Sequence, residues 1–285
     1  MSVQTDDGRA FVPGVVPPSD WKGPSWWFAF KGEKLLVRLE GPSAIVPCLV
    51  DFAELGLTVI RQHYLGRFGT YPCYAIELPE TTAPPGGMIF QGLRQLYDAV
   101  EETLFFLAGR ARQIVDWDKT HQFCGQCGRP MRILPTERAK ECPRCGLLDF
   151  PHVSPAIIVL VERGREILLG RSPQFPPGLY SVLAGFAEPG ETLEQAVVRE
   201  VWEEAGITVK DIRYFGSQPW PFPHSLMIGF TATYASGVIS LDGSELEDAG
   251  WYTTDHLPIL PGRISISRKL IDWFLTKESE ERGGS

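Results

Sequence analysis

The spacing of apolar and polar residues changes twice along the chain. Over residues 11–120, short apolar runs such as KLLVRL, AIVPCLVDF and YAIEL alternate with proline and glycine breaks, which indicates strands. The stretch QGLRQLYDAVEETLFFLAGRARQIVDW then repeats its apolar residues at helical spacing. Together these patterns predict an N-terminal α+β domain over residues 11–120, preceded by about ten polar residues without regular structure.

A second set of strands begins at Pro151. The runs SPAIIVLVE, REILLGR, IRYFGS, LMIGFTATYA and AGWYT have strand character, and ISRKLIDWFL has helical spacing. A further amphipathic helix is predicted to start at Thr192, because TLEQ has the Thr-x-x-Gln form of a capping box, and to end at Gly206. We therefore predict a domain with a mixed sheet and helices over residues 151–276, followed by an irregular polar tail, KESEERGGS.

The segment between these domains, residues 121–150, is poor in large apolar residues and contains four cysteines in two pairs. Cys124 and Cys127, then Cys142 and Cys145, have the spacing of a zinc ribbon, with fourteen residues between the pairs. So short a segment needs a metal to fold, and four thiolates leave no coordination position open for a reactant. The sequence thus predicts a structural Zn²⁺ site in this segment.

The overall charge limits the kinds of partner. The 285-residue chain has a formal net charge of -8, which argues against a general nucleic-acid coat, because such a protein needs a broadly basic surface. No stretch reaches the roughly 18 consecutive apolar residues of a membrane span, and MSVQTDDGRA does not have the pattern of a secretion signal. We therefore expect a cytoplasmic protein without a membrane partner.

Three glutamates lie close together in GFAEPGETLEQAVVREVWEEAGI, residues 185–207. Glu200, Glu203 and Glu204 project from one face of the predicted helix, because residues three and four apart are neighbours on a helix. One interpretation is a solvated acidic face, whose like charges repel. The other is a site for Mg²⁺ or Mn²⁺, which prefer oxygen ligands and bind phosphates. Such ions can polarise a diphosphate and orient a water for attack at phosphorus.

The spacing around these glutamates resembles the Nudix box, G-x5-E-x7-R-E-U-x-E-E-x-G-U with U aliphatic, at every defined position from Gly185 to Ile207. The resemblance implies diphosphate hydrolysis by a C-terminal Nudix α/β/α sandwich with a mixed sheet. It also implies that Arg199 and Glu191 pair and hold the loop against the helix. The metal ligands that it implies are Glu200, Glu204, the carbonyl of Ala184, and Glu203 as a further ligand or as the catalytic base.

A second motif indicates which kind of diphosphate compound is the substrate. The stretch SQPWPFPHS, residues 217–225, contains three prolines and two aromatic residues, which predict a stiff extended loop with flat faces for a planar ring. A proline-stiffened hydrophobic loop without a ligand fits the same residues. However, SQPWPFPxS resembles the signature of the NADH pyrophosphatase subfamily of Nudix hydrolases, whose members also remove NAD caps from RNA. FLAGRARQ, the four-cysteine segment, SELEDAGWY and LPGRISISRKL follow that subfamily's order over about residues 90–275.

This subfamily resemblance implies a homodimer that hydrolyses the diphosphate of NAD(H) to nicotinamide mononucleotide and AMP, and that cleaves the same bond in NAD-capped RNA. It implies that Glu245 is another metal ligand and that Phe186 stacks on the nicotinamide. The substrate-binding residues that it implies are Arg94, Glu137, Phe150, Phe186, Gln218, Pro219, Trp220, Pro221, Phe222, Pro223, His224, Ser225 and Ser267.

A local excess of positive charge surrounds the cysteine segment. Such a basic strip could contact the RNA attached to a cap, although solvated basic side chains explain it equally well. The basic residues are Arg110, Arg112, Lys119, Arg129, Arg132, Arg138, Lys140 and Arg144.

Two other functions fit the sequence. One is a Nudix hydrolase that prefers another nucleoside diphosphate derivative, such as ADP-ribose. The other is a zinc-ribbon nucleic-acid-binding module with a vestigial Nudix fold. The complete set of glutamates counts against the second, because a vestigial site has no reason to keep a repulsive cluster.

Overall fold

The computed structural model describes residues 9–241, 243 and 245–283. It divides into two compact units, with the boundary between His152 and Val153. No helix within the described ranges is both long enough and apolar enough to span a lipid bilayer. The first eight residues, for which the sequence predicts no regular structure, lie outside the described residues. The domain boundaries given above stay predictions.

The first unit is built on a mixed sheet of eight strands. Its elements are β1 (Phe11–Pro13), β2 (Ser25–Lys31), β3 (Lys34–Glu40), β4 (Ser43–Ile45), β5 (Cys48–Leu49), β6 (Arg61–Phe68), β7 (Tyr71–Leu78), β8 (Met88–Gly92) and α1 (Glu102–Thr120). The strand order is β1-β6-β7-β2-β3-β4, with β5 paired to β2, β8 paired to β3, and β2 parallel to β7. Helix α1 packs against β2, β6 and β7. The strands predicted from KLLVRL and YAIEL are confirmed.

The helix predicted before residue 120 is shorter than expected. Gln91 and Gly92 complete β8 and pair with β3, and a 3-10 helix follows at Leu93–Leu96. Helix α1 begins only at Glu102. The prediction of one continuous helix was therefore wrong at its start, because sheet pairing uses the backbone groups that a helix would need.

A short three-stranded sheet completes the first unit, with β9 (Arg132–Ile133), β10 (Lys140–Glu141) and β11 (Leu148–Asp149) in the order β11-β10-β9. Lys140 is 2% exposed and forms an ion pair with Asp118 of α1. His63 Nε2 lies 2.8 Å from Oδ2 of the same carboxylate. Burial raises the pKa of Asp118, but hydrogen bonds with His63 and Lys140 outweigh it and lower the pKa to about 2. This buried network connects β6, α1 and β10.

The second unit is an α/β/α sandwich, as predicted. Its elements are β12 (Ser154–Arg163), β13 (Glu166–Arg171), β14 (Leu183–Phe186), α2 (Leu193–Ala205), β15 (Ile207–Trp220), β16 (Ser225–Gly237), β17 (Asp248–Thr253) and α3 (Ile266–Gly283). The strand order is β15-β16-β12-β13-β17, with β14 paired to β12 and β12 parallel to β16. Ile157 and Val159 pack with α2, whereas Ile158 and Leu160 pack with α3. Alternate residues of one strand thus face two cores, one on each side of the sheet.

Most of the tail predicted to be irregular belongs to helix α3, so that prediction was wrong. The helix continues to Gly283. Glu278 is 3% exposed and accepts a hydrogen bond from Arg165 Nε at 2.9 Å. Lys277 forms an ion pair with Glu162 of β12. Lys277 and Glu278 of the tail therefore have partners in the hairpin of β12 and β13, which their polarity alone did not indicate.

Candidate active site

Local sequence signals position helix α2, which carries the clustered glutamates. Thr192 Oγ1 accepts from the N–H of Gln195 at 3.2 Å, and Gln195 Oε1 accepts from the N–H of Thr192 at 2.7 Å. This confirms the predicted capping box. Gly206 ends the helix with a left-handed φ of 69°. Val197 and Val201 are buried in the core, so the turn that bears the glutamates is held on a packed helix.

Three carboxylates meet at the surface of this helix. Glu200 and Glu204 are 7% and 8% exposed. Glu245, which follows β16, joins them, and the ligand oxygens of the three side chains lie within 4.8 Å of one another. Glu203 is not part of this group; its side chain is 55% exposed, and one of its oxygens is 3.0 Å from Arg199. The structure thus brings together three of the four glutamates that the sequence singled out as metal ligands.

Burial and repulsion both oppose ionisation of the cluster. Burial, reinforced by the charges of Glu200, Glu245 and Glu203, raises the pKa of Glu204 to about 8. Burial also raises the pKa of Glu200, although Arg199 acts in the opposite direction. A divalent cation would supply the missing positive charge, and carboxylate oxygens are the ligands that Mg²⁺ and Mn²⁺ prefer. The donor set therefore fits a hard divalent cation.

Arg199 connects the loop before α2 to the carboxylates. Its Nε and Nη2 donate to the two oxygens of Glu191 at 2.9 and 2.8 Å, so the predicted pair is present. Its Nη1 donates to Glu200 Oε1 at 2.8 Å and to Glu203 Oε2 at 3.0 Å. Nη2 also donates to the carbonyl of Phe186 at 2.8 Å. Hydrogen bonds from Arg199 are the main reason why the pKa of Glu191 falls to about 2.

Position 185 has space only for glycine. A Cβ atom there would lie 1.9 Å from Cδ of Glu200, and 2.0 and 2.1 Å from its two oxygens. Strand β14 therefore passes directly against the carboxylate. Ala184, whose carbonyl is a predicted metal ligand, pairs with Ile158 of β12, so the sheet holds the backbone at this point.

The stretch SQPWPFPHS forms the tip of a β-hairpin, so the prediction of an extended loop is corrected. Trp220 at the end of β15 pairs with Ser225 at the start of β16. The rings of Trp220 and Phe222 contact each other edge to face, with centroids 5.1 Å apart. The carbonyl of His224 accepts from the N–H of Ser154 at 2.9 Å. The predicted substrate residues of this stretch are distributed over β15 (Gln218, Pro219, Trp220), the turn (Pro221, Phe222, Pro223, His224) and β16 (Ser225).

Two of the predicted substrate residues are engaged with other parts of the protein. Gln218 Nε2 donates to the carbonyl of Ile264 at 2.6 Å, and its Oε1 accepts from the N–H of Ile266 at 2.7 Å. Gln218 therefore positions the start of α3. The Oγ of Ser267, which is 4% exposed, lies 2.7 Å from Ser181 Oγ. Sequence reasoning missed these partners, since nothing in the local pattern marks residues so far apart; the predicted substrate contacts stay predictions.

The remaining predicted substrate residues belong to different parts of the fold. Phe186, next to Gly185 on β14, is 58% exposed. Phe150 is 47% exposed and follows β11 in the first unit. Glu137 and Arg94 also lie in the first unit and are exposed. Contacts of these residues with a dinucleotide stay predictions.

The four cysteines lie in two similar turns, or zinc knuckles, at residues 124–128 and 142–146. Cys124 Sγ lies 3.6 Å from Cys145 Sγ, and Cys127 Sγ lies 3.5 Å from Cys142 Sγ. Tetrahedral Zn²⁺ with Zn–S bonds near 2.3 Å needs sulfurs about 3.8 Å apart, so the site fits zinc. In each knuckle the glycine after the second cysteine has a positive φ, 70° and 73°. Its N–H donates to the carbonyl of the first cysteine, at 2.8 and 3.0 Å.

The basic strip is smaller than the sequence suggests. Arg112 is 5% exposed and donates to Glu33 and Asp116 at 2.5 and 3.2 Å. Lys140 is buried in its ion pair, and Arg138 donates to two backbone carbonyls. These three residues are therefore not available to a polyanion. The exposed members are Arg110, Lys119, Arg129, Arg144 and Arg132, the last of which pairs with Glu141 at 2.6 Å.

Three family models match consecutive parts of the chain. Residues 24–117 match the NADH pyrophosphatase-like rudimentary NUDIX domain, and residues 119–148 match the NADH pyrophosphatase zinc ribbon domain. Residues 151–274 match the NUDIX domain.

Curated relatives are similar over most of their length. A protein of Stutzerimonas stutzeri named NAD-capped RNA hydrolase NudC is 49% identical over 79% of this chain and 81% of that protein. A protein of Deinococcus radiodurans with the same name is 51% identical over 73% of this chain and 75% of that protein. Among solved structures, a NUDIX hydrolase from Nitrosomonas europaea is 26% identical, with a TM-score of 0.42 over 50% of this chain and 85% of that one.

Proposed function

This chain belongs to the Nudix hydrolases of the NADH pyrophosphatase type, and we propose that it hydrolyses the diphosphate bond of NAD(H) to nicotinamide mononucleotide and AMP. The same site is proposed to remove the NAD cap from RNA, the activity that the relatives' names state. The observation that carries the proposal is the cluster of Glu200, Glu204 and Glu245, with Gly185 against one carboxylate and the exposed ring of Phe186 at the next position.

Bound Mg²⁺ or Mn²⁺ would neutralise charge on the diphosphate and favour deprotonation of an attacking water. Glu200, Glu204 and Glu245 supply the oxygens that would hold the cation, and Arg199 orients Glu200 through a 2.8 Å hydrogen bond. We assign Glu203 as the base, because its carboxylate is exposed and Arg199 holds one of its oxygens. The water oxygen bonds to one phosphorus, its proton passes to Glu203, and the bridging oxygen leaves with the other phosphate.

Aromatic side chains are proposed to select the two rings of the dinucleotide. Phe186 offers an exposed face beside the carboxylates. Trp220 and Phe222 form a rigid pair at the tip of the β15–β16 hairpin. Stacking on such faces contributes about 1–3 kcal/mol per base and requires no particular hydrogen-bonding edge. A ring of the substrate, rather than the diphosphate alone, would then determine which compound is used.

For capped RNA we propose that the exposed arginines of the zinc ribbon add contacts to the RNA phosphates. Arg129 and Arg144 are exposed members of the basic strip, and arginine side chains can neutralise phosphate charge. The ribbon itself is proposed to bind structural Zn²⁺ through Cys124, Cys127, Cys142 and Cys145. Because these thiolates hold zinc only while reduced, a cytoplasmic location is part of the proposal. A homodimer is also proposed, and light scattering of the purified chain tests it.

Product analysis on three substrates tests the proposal. The chain is incubated with Mg²⁺ or Mn²⁺ and either NADH, RNA with a 5′ NAD cap, or ADP-ribose. We expect reduced nicotinamide mononucleotide and AMP from NADH, and nicotinamide mononucleotide and 5′-monophosphate RNA from the capped RNA. A higher kcat/KM for ADP-ribose would favour the other nucleoside diphosphate hydrolase. RNA binding without cleavage of any of the three would favour the nucleic-acid-binding module with a vestigial Nudix fold.

A further inference from the structure

Two histidines and an aspartate converge at the base of the zinc ribbon, apart from its four cysteines. His121 follows the last residue of α1, Asp149 ends β11, and His152 lies three residues farther along. One potential ligand atom from each side chain lies within 4.8 Å of the other two. Asp149 Oδ2 is 3.9 Å from His121 Nε2 and 3.7 Å from His152 Nε2.

Trp117 of α1 orients two of these three side chains. Its carbonyl lies 2.9 Å from His121 Nδ1. A carbonyl can only accept, so Nδ1 carries a proton, which leaves Nε2 as the ring nitrogen that can bind an ion in the cluster. Its indole Nε1–H donates to Asp149 Oδ1 at 2.5 Å, which leaves Oδ2 facing the histidines. Histidine and carboxylate ligands of metal ions are typically held by such outer hydrogen bonds.

The spacing is close to what a transition-metal ion requires. Zn–N and Zn–O bonds of about 2.0–2.2 Å place tetrahedral ligands about 3.3 Å apart, so the observed 3.7 and 3.9 Å need to shorten by only about half an ångström. The side chains of His121 and His152 are 33% and 65% exposed, so an ion has access. Imidazole nitrogens favour Zn²⁺, Co²⁺ or Ni²⁺ over Mg²⁺, which sets this cluster apart from the all-carboxylate active site.

We propose that His121, Asp149 and His152 form a second transition-metal site, with Zn²⁺ as its ion and water at the remaining position. The site joins the end of α1 to the chain that leaves the ribbon, so a bound ion closes the base of the ribbon and adds to its stability. An ion that binds the folded unit only must stabilise it by mass action. The proposal is independent of the hydrolytic function, since none of the three residues is assigned to it.

Metal stoichiometry tests the site without reference to activity. The full-length chain, loaded with one equivalent of Zn²⁺ for the cysteines, is titrated with further Zn²⁺ by calorimetry. We compare wild type with His121→Ala/His152→Ala and with His256→Ala, a control at an exposed histidine of the second unit. Wild type and the control should bind one equivalent more than the double variant. Equal uptake by all three proteins would overturn the proposal and leave the cluster as an ion-pair network.

Two further measurements distinguish metal binding from a folding defect. Co²⁺ added to the zinc-loaded wild type should give visible absorption bands without a thiolate charge-transfer band, and the double variant should lack these bands while keeping its first zinc. Trp117→Phe removes the N–H that holds Asp149, so the second ion should bind about 10–100-fold more weakly while the ribbon zinc is retained. Unchanged affinity in that variant would contradict the role given to Trp117.

Discussion

Replacing Gly185 by alanine should displace a metal ligand without unfolding the domain. The new Cβ would lie 1.9 Å from Cδ of Glu200, whereas carbon atoms pack at about 3.5 Å, so the carboxylate must move by about 1.5 Å. That movement also breaks the 2.8 Å hydrogen bond from Arg199. Misplacing a catalytic group by about 1 Å can cost about 100-fold in rate, and we expect a loss of this size in kcat. KM for NADH should change little, because the residue contacts the carboxylate and not the predicted ring sites.

The assay is steady-state NADH hydrolysis over a range of Mn²⁺ concentrations, with thermal unfolding measured in parallel. The variant should need more Mn²⁺ for half-maximal rate and should unfold near the wild-type temperature. Gly216→Ala is the matched control, because a Cβ atom added at this strand glycine would meet nothing within 4 Å and its φ is not in the left-handed region. A kcat for Gly185→Ala within about threefold of the control would refute the reasoning, since the clash would then be relieved without moving the ligand.

Three further predictions concern the carboxylate cluster, the tip of the β15–β16 hairpin and the buried ion pair of the first unit. Glu204→Gln removes a buried carboxylate of the cluster, so kcat for NADH should fall by about 100-fold or more at saturating Mg²⁺, with the fold retained. Near-normal turnover would contradict the assignment of Glu204 to the active site. The double variant Trp220→Ala/Phe222→Ala should lower kcat/KM for NADH at least about tenfold more than kcat/KM for a small generic dinucleoside diphosphate. Equal losses on the two substrates would show that the hairpin tip is only structural. Lys140→Met removes one charged partner of the buried Asp118 carboxylate while His63 stays beside it, so it should cost about 2 kcal/mol in urea unfolding, part of which returns when Asp118→Asn is added. A loss below about 1 kcal/mol would contradict a contribution of this ion pair to stability.

Several features of the site could be predicted because they depend on residues close together in the chain. The capping box at Thr192, the glycine that ends α2 and the pair between Arg199 and Glu191 all involve positions at most eight residues apart. Helical periodicity likewise places Glu200 and Glu204 on one side of α2. The cysteine knuckles follow the same rule, because each is a local turn closed by a glycine.

Other features depend on which distant segments meet. The tail looked irregular because its sequence does not show that Lys277 and Glu278 pair with Glu162 of β12 and with Arg165 of the turn between β12 and β13. The basic strip looked larger because the sequence does not show that Lys140 is buried beside Asp118. That burial depends on how β10 packs on α1. Strand pairing likewise determined that SQPWPFPHS would be a hairpin tip, and the local prolines alone did not.

The sequence by itself determined the family, the order of sheet, ribbon and sandwich, and the identity of the carboxylates and thiolates, because these are expressed as spacings along the chain. Only the tertiary structure decided that Glu245 joins Glu200 and Glu204, that Glu203 stays outside with Arg199, and that Gly185 must lack a side chain. It also decided the meeting of His121 with Asp149 and His152. The physical reason is that a coordination site needs atoms within a few ångströms of one another, and sequence spacing controls that distance only within one helix or turn.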